Sequence, residues 1–135
     1  MSAGVERAEE IARQAHKGQV KKTGGLVIDH VARVAAHMVG SDELIVAWLH
    51  DVVENSPHWT LARLRQEGFA EEVLLAVEAL TKRPGEAHAD LVRRAAQNNL
   101  ARSVKLADLA DNLAEAERTG QDASKYRLGL QMLQT

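Results

Sequence analysis

Apolar residues recur along most of this chain at the three- and four-residue spacing of amphipathic helices. In the first segment, roughly residues 3–17, small and aliphatic side chains share one side and charged side chains occupy the rest. The same period covers 28–38, 42–55, 60–66, 71–80, 87–97, 100–118 and 122–134. Glycine or proline interrupts it between segments, and a basic loop covers 17–25. The pattern predicts a compact all-α domain of about seven or eight helices.

The segment 42–55 differs from the others because apolar residues surround nearly the whole predicted helix, which should therefore lie inside the domain. Yet it carries His50, Asp51 and Glu54. Burying two carboxylates costs roughly several kcal/mol each unless a cation or strong hydrogen bonds compensate. A metal ion would compensate these charges most directly.

The helix predicted for 100–118 carries a second set of polar residues. Lys105, Asp108, Asn112 and Glu115 recur at helical spacing and so share one side. Such a stripe alone is more often a solvated face, and a single His-Asp pair is common by chance. The ordered set, with His30 at the start of an earlier helix, is far less common by chance. It indicates a metal site to which Asp108 contributes a carboxylate.

Composition limits the kinds of ligand and partner. At 135 residues, the chain suits one domain, and we expect a single domain over 1–135. The absence of cysteine excludes disulfides and thiolate metal sites, which leaves histidine and carboxylates as ligands. A net charge of −2 argues against a nucleic-acid partner. Without an apolar segment typical of a signal peptide or a membrane span, we expect a cytoplasmic protein with no membrane partner.

Four stretches of the chain resemble the HD-domain metal phosphohydrolases, and more closely the hydrolase domain of RelA/SpoT-type alarmone enzymes and their small stand-alone relatives. The first, AHKGQVKKTGGLVIDH (15–30), is similar to the family's AHxGQxRKxGxxYIxH. HDVVEN (50–55) is similar to HDxxED, EALTK (78–82) to the region after the following helix, and VKLADLADN (104–112) to VKLADRLxN. Their order and spacing make the match more specific than any one motif. The resemblance implies a single all-helical HD domain.

The resemblance also implies a cofactor and its ligands. His30, His50, Asp51 and Asp108 match the family's ligands for one divalent metal ion, and manganese is the usual ion in alarmone hydrolases. A set of two histidines and two carboxylates suits such an ion on chemical grounds as well. We therefore expect these four residues to bind one divalent ion, with manganese as its identity.

Further residues match the family's catalytic and substrate-binding positions. The resemblance implies that Glu54 orients or deprotonates the attacking water. Asn55 replaces the second acid of the family's ED pair, and its amide can form hydrogen bonds but cannot act as a base. Lys21 and Lys22 match a basic pair expected to bind substrate phosphates, and Asn112 matches a substrate-side asparagine.

Three functional hypotheses remain open. The first is hydrolysis of a small phosphorylated nucleotide, guanosine tetraphosphate or pentaphosphate, with release of its 3′-pyrophosphate. The second keeps the metal but changes the substrate to another nucleotide or phosphoester, because Lys21, Val27 and Leu109 depart from the family pattern. The third is a catalytically weak protein that binds metal or nucleotide, and Asn55 motivates it. The sequence does not determine the oligomeric state.

The remaining candidate residues receive structural interpretations. His16 is expected to brace the basic loop, whereas His58 and His88 lie in turn-like segments and are expected to be solvent-exposed. His37 could share a helix face with His30 but lacks a partner motif. Tyr126 is expected to be a packing residue on the last helix.

Overall fold

The computed structural model describes residues 4–134, and over this range it contains nine α-helices and no β-strand beyond one isolated bridge between Val20 and Leu26. The predicted boundaries at residues 1, 3 and 135 lie outside the described residues. In chain order, the helices are α1 (Val5–Ala15), α2 (Val27–Ala36), α3 (Ser41–Leu49), α4 (Val52–Asn55), α5 (Leu61–Gln66), α6 (Glu71–Leu80), α7 (His88–Ala96), α8 (Asn99–Thr119) and α9 (Ser124–Gln134). The predicted all-α class is confirmed.

Helix α3 occupies the centre of the domain. Its residues Ile45 to Leu49 are all buried, and it packs against α1, α2, α6 and α8. Because neighbours surround it, the helix has apolar residues on nearly every side. The prediction of an interior helix in this segment is confirmed, and its polar C-terminal neighbours therefore start from a buried position.

The predicted helix 42–55 is divided into two helices at His50 and Asp51. Helix α3 ends at Leu49, and α4 begins at Val52. Between them, His50 keeps helical dihedral angles, but Asp51 has φ −106° and ψ −2°, which lies in the sparsely populated bridge region. This division adds one helix to the predicted number. It also means that Asp51 does not have regular helical geometry.

Helix α8 is 21 residues long and crosses the domain beside α2, α3, α6, α7 and α9. It begins where the Asn98 side chain accepts a 3.0 Å hydrogen bond from the amide of Ala101, and it ends at Gly120, whose φ of 73° is left-handed. Its length brings its middle, around Asp108, level with the break between α3 and α4. None of the helices within residues 4–134 is long and apolar enough to cross a membrane.

The basic loop between α1 and α2 is a folded turn. The amide of Lys21 donates to the carbonyl of Gly25 at 2.7 Å, and that of Val27 donates to the carbonyl of Gln19 at 3.0 Å. The Gln19 side chain joins the loop to the end of α1 and to α4. It contacts His16 Nδ1 at 2.9 Å and donates to the carbonyl of Asn55 at 3.0 Å. The fully buried His16 thus braces this loop, as predicted.

Candidate metal centre and adjoining cavity

Four side chains from three parts of the fold converge on one point. His30 lies on α2, His50 and Asp51 lie between α3 and α4, and Asp108 lies on α8. One nitrogen or oxygen atom from each lies within 4.8 Å of all the others. Asp108 Oδ1 is 2.8 Å from His30 Nε2 and 3.3 Å from His50 Nε2. The structure therefore brings together all four predicted ligands, and their donor atoms fit one divalent ion.

The second ring nitrogen of each histidine is held by an acceptor. His50 Nδ1 lies 2.6 Å from the main-chain carbonyl of Ala47, which can only accept a hydrogen bond, so Nδ1 carries the proton. His30 Nδ1 lies 2.6 Å from Asp111 Oδ2. These contacts leave each Nε2 facing the cluster. Histidine ligands of metals are commonly oriented in this way.

The charges at the cluster stabilise each other. Burial raises the pKa of Asp108, but the Lys105 ammonium, 3.0 Å away, and hydrogen bonds from His30 and His50 outweigh burial and lower that pKa well below its usual range. Burial likewise lowers the pKa of His50, but the charge of Asp51 and the contact with Asp108 raise it well above its usual value. The carboxylates are therefore ionised and available to a cation.

The same compensation applies to the other two ligands. The pKa of His30 is raised because its contacts with Asp108 and Asp111 outweigh the effect of burial. Burial raises the pKa of Asp51, but the neighbouring His50 charge exceeds that effect and lowers it. The buried carboxylates thus favour the protonated form of both imidazoles in metal-free protein, and a bound cation would take over that balancing role.

The cluster forms part of the wall of a cavity of about 340 Å³. Four lysines also line this cavity, and apolar side chains and one tyrosine complete much of the remaining wall. These residues are Lys21, Lys82, Lys105 and Lys125, with Val27, Leu80, Leu91, Leu109 and Tyr126. Ammonium groups suit phosphate oxygens, and the apolar wall suits the flat face of a ring. The cavity therefore has the composition expected for a phosphorylated ligand with an apolar part.

Glu54 and Asn55 lie at the rim of this cavity, outside the four-residue cluster. Both residues are exposed. Glu54 Oε1 accepts a 2.9 Å hydrogen bond from the amide of Lys82, and the carbonyl of Asn55 accepts from Gln19. These contacts hold both residues beside the cavity opening.

The three predicted substrate-binding residues do not share one location. Lys21 Nζ donates to Asn112 Oδ1 at 2.6 Å, and Asn112 Nδ2 lies 3.4 Å from Asp108 Oδ1. The structure thus joins Lys21 and Asn112 to each other and to the cluster. Lys22 is exposed and is not part of the cavity wall. The structure does not place it where the prediction of a phosphate-binding lysine pair requires it, because the turn directs neighbouring residues to different sides.

Two comparisons with curated proteins relate the chain to alarmone enzymes. The chain is 31% identical over 121 residues to a guanosine-3′,5′-bis(diphosphate) 3′-pyrophosphohydrolase of Aquifex aeolicus (strain VF5), which covers 81% of this chain and 17% of the relative. It is 40% identical over 83 residues to a probable GTP pyrophosphokinase of Mycobacterium leprae (strain TN), which covers 58% of this chain and 10% of the relative. The chain thus spans less than a fifth of either relative. No known family profile matches it.

A solved structure has the same fold. It is described as a metazoan ortholog of SpoT that hydrolyzes ppGpp and plays a role in starvation responses. The TM-score is 0.71 at 21% sequence identity, and the match covers 96% of this chain and 92% of that chain. In sequence and fold, this chain is similar to a RelA/SpoT-type hydrolase domain. The predicted resemblance is confirmed, and the fold class with it.

The cavity also contains residues that the sequence did not predict. His88 begins α7, is half-buried and lines the cavity, so the prediction that it is solvent-exposed is wrong. Its Nε2 is buried and has no hydrogen-bond partner among the described residues. Burial lowers the pKa of His88, and the nearby Lys105 and Lys125 charges lower it further. No local spacing around residue 88 signals this position, because α8 and α9 create it.

Other residues show the same contrast between local and tertiary information. His37 and His58 are exposed, which agrees with the minor roles predicted for them. Tyr126 is half-buried and packs with the buried residues of α8 and α9, but it also lines the cavity. Asp111, which had no predicted role, contacts His30. Its position three residues after Asp108 was the available signal.

Proposed function

We propose that this chain is a metal-dependent phosphohydrolase that removes the 3′-pyrophosphate from guanosine tetraphosphate or pentaphosphate. The observation that carries the proposal is the cluster of His30, His50, Asp51 and Asp108 at the wall of a lysine-lined cavity. The name of the Aquifex aeolicus relative, which aligns with 81% of this chain, supports the choice of substrate. The name of the Mycobacterium leprae relative describes synthesis instead, but a set of metal-binding side chains in the wall of the cavity supports hydrolysis.

The four cluster residues would hold one divalent ion, for which we propose manganese. Imidazole and carboxylate donors in equal number suit an ion of intermediate hardness. When bound, such an ion polarises a phosphoryl oxygen and lowers the pKa of water. The protein prepares the site, since the carbonyl of Ala47 orients the His50 imidazole and Lys105 keeps Asp108 ionised.

The other residues of the cavity have separate tasks. Lys105 is buried in its pair with Asp108. Lys21, whose Nζ also contacts Asn112 and Glu115, would bind the phosphates together with Lys82 and Lys125. Glu54, held at the rim by the amide of Lys82, would orient or deprotonate the attacking water. Asn112 connects Lys21 to the cluster and would hold the phosphate-binding lysine near the reacting group.

The test begins with protein stripped of metal by a chelator and reloaded with manganese. Incubation with guanosine tetraphosphate should release pyrophosphate and leave guanosine diphosphate, and both products can be measured by ion-exchange chromatography. The His50→Ala variant serves as the inactive control. If manganese-loaded protein releases no pyrophosphate, the proposed reaction is wrong.

A second candidate retains the hydrolase chemistry with a different nucleotide or phosphoester. It is favoured by Leu109, which stands in the cavity wall where the family pattern has an arginine and is fully buried against Val92 and Leu133. A guanidinium can stack on a base and form directed hydrogen bonds, whereas leucine can only pack against it. A panel of nucleoside di- and triphosphates tested in parallel would reveal this activity as phosphate or pyrophosphate release that exceeds release from the alarmone.

The third candidate, a catalytically weak binding protein, rests on Asn55 at the cavity rim. The Asn55→Asp variant introduces the carboxylate that the family pattern has there. A large gain in turnover at unchanged ligand affinity would favour the weak binding protein. A robust wild-type turnover that Glu54→Ala abolishes would exclude it.

A further inference from the structure

A network of charged side chains joins α2 to α8 beside the cluster of four candidate metal ligands. Asp111 Oδ2 lies 2.6 Å from His30 Nδ1. Arg33 binds the same carboxylate through two nitrogens, with Nε 2.8 Å from Oδ1 and Nη2 3.1 Å from Oδ2. Arg33 also pairs with Glu115, which is 4% exposed. Asp111 therefore has one partner in the cluster and one outside it.

We infer that Asp111 is a positioning residue that orients His30 toward the metal ion, and that Arg33 acts through Asp111 by holding its carboxylate. The inference rests on the metal site in the proposed function. In the metal-bound site, the carboxylate would accept a hydrogen bond from Nδ1–H, so that the ring's lone pair is on Nε2, the atom that faces Asp108. The two-point contact from Arg33 fixes the plane of that carboxylate.

The two histidines of the cluster are oriented by different means. His50 Nδ1 donates to the main-chain carbonyl of Ala47, which no side-chain substitution removes. His30 Nδ1 instead depends on the side chain of Asp111. A carboxylate also makes the imidazole a stronger donor to a metal than a carbonyl does. The orientation of His30 is therefore open to a direct mutational test.

The surroundings of Asp111 favour positioning over direct metal binding. His30, Asp111 and Glu115 have ligand atoms within 4.8 Å of one another, which would also permit a cation. However, Arg33 already contacts both carboxylates, and Lys21 Nζ lies 3.2 Å from Glu115 Oε1. These side chains supply the positive charge that a second ion would supply. The group of His30, Asp111 and Glu115 therefore stabilises the four-residue cluster and does not bind a second ion.

The test is titration of manganese into metal-free protein by calorimetry. Asp111→Asn should weaken manganese binding by about 10- to 100-fold, as loss of an outer partner of a histidine ligand does. Arg33→Met should weaken it by a smaller factor. The double variant should bind no more weakly than Asp111→Asn alone, because Arg33 acts only through Asp111.

Glu117 and Arg127 provide matched control substitutions. They form an exposed pair between α8 and α9 at 3.3 Å, with side chains 55% and 54% exposed. Glu117→Gln and Arg127→Met remove the same charges as the test variants and should leave manganese affinity unchanged. Thermal unfolding of each metal-free variant reports whether the fold has been altered.

Each other result contradicts the inference in a recognisable way. If Asp111→Asn lowers only the melting temperature while manganese affinity stays at the wild-type value, the residue is a structural ion pair. If the two substitutions weaken binding additively, Arg33 does not act through Asp111. Should Asp111→Asn fail to fold, wild-type affinity in Arg33→Met overturns the inference. Absence of manganese binding by wild type overturns the metal site with it, whereas binding without alarmone hydrolysis overturns only the proposed reaction.

Discussion

His30 Nε2 and Asp108 Oδ1 lie 2.8 Å apart, although 78 residues separate them along the chain. Asp108 Oδ1 also lies 3.3 Å from His50 Nε2, so this one oxygen is adjacent to both imidazoles. Such convergence of buried groups is costly without compensating charge. It makes Asp108 the residue on which metal binding should depend most.

We expect Asp108→Ala and His50→Ala to lose bound metal. Each substitution removes a donor atom, and the loss of affinity should exceed the roughly 10- to 100-fold effect of removing an outer partner. Metal content after dialysis, measured by plasma mass spectrometry, checks this outcome. Glu72→Ala removes an exposed acid from α6 and should retain the metal. Full metal occupancy in both site variants would refute the ligand set.

Glu54→Gln should lower kcat for alarmone hydrolysis while manganese affinity stays near the wild-type value. The amide keeps the size of the side chain but cannot accept a proton, and loss of general-base catalysis typically costs about 10²- to 10⁴-fold in rate. Steady-state kinetics and a manganese titration measure the two effects separately. Glu72→Gln is the control for removal of an exposed glutamate. An unchanged kcat would show that Glu54 does not act on the water.

Lys21→Met should raise KM for the alarmone, whereas Lys22→Met should change it by less than about twofold, since the two neighbours differ in access to the cavity. Loss of one hydrogen bond to a charged group costs about 1.5–3 kcal/mol, which corresponds to roughly 10- to 150-fold in binding. Initial rates over a range of substrate concentrations give both KM values. Equal effects of the two substitutions would contradict the assignment of Lys21 as the phosphate-binding member of the pair.

Arg94→Met should destabilise the fold, although Arg94 does not line the cavity. Its guanidinium donates to the carbonyls of Glu78 and Thr81 at 2.7 and 3.0 Å, which lie at the end of α6, and it pairs with Glu86. Loss of the two carbonyl contacts should lower the free energy of unfolding by about 1–3 kcal/mol. Denaturant titration measures this difference.

Arg93→Met is the control for that experiment, because Arg93 is exposed and pairs only with exposed Asp90 among the contacts described. It should change the free energy of unfolding by less than about 0.5 kcal/mol.

The hydrogen bond from Arg94 lowers the pKa of Glu86 below its usual value near 4.5. The contribution of this pair is therefore present above that pH and is lost as pH falls through the folded-state pKa. If Arg94→Met and Arg93→Met have equal free energies of unfolding at neutral pH, Arg94 does not stabilise the fold.

The sequence by itself determined the helical architecture and the candidate ligands. Helical periodicity is a local property, and the apolar residues of segment 42–55 already indicated an interior helix, as α3 confirms. The two histidines and two carboxylates could be selected because their order along the chain matches a known pattern. Their meeting within 4.8 Å follows from packing of α2, α3 and α8.

Only the tertiary structure decided which other residues share the cavity. The break at Asp51, the separation of Lys21 from Lys22 and the position of His88 each depend on how distant elements pack. The contact of Asp111 with His30 joins positions 81 residues apart. Spacing along one helix shows which side chains share a face, but not which helix that face meets. The candidate ligands could therefore be predicted from the sequence, whereas the residues that contact them could be identified only from the fold.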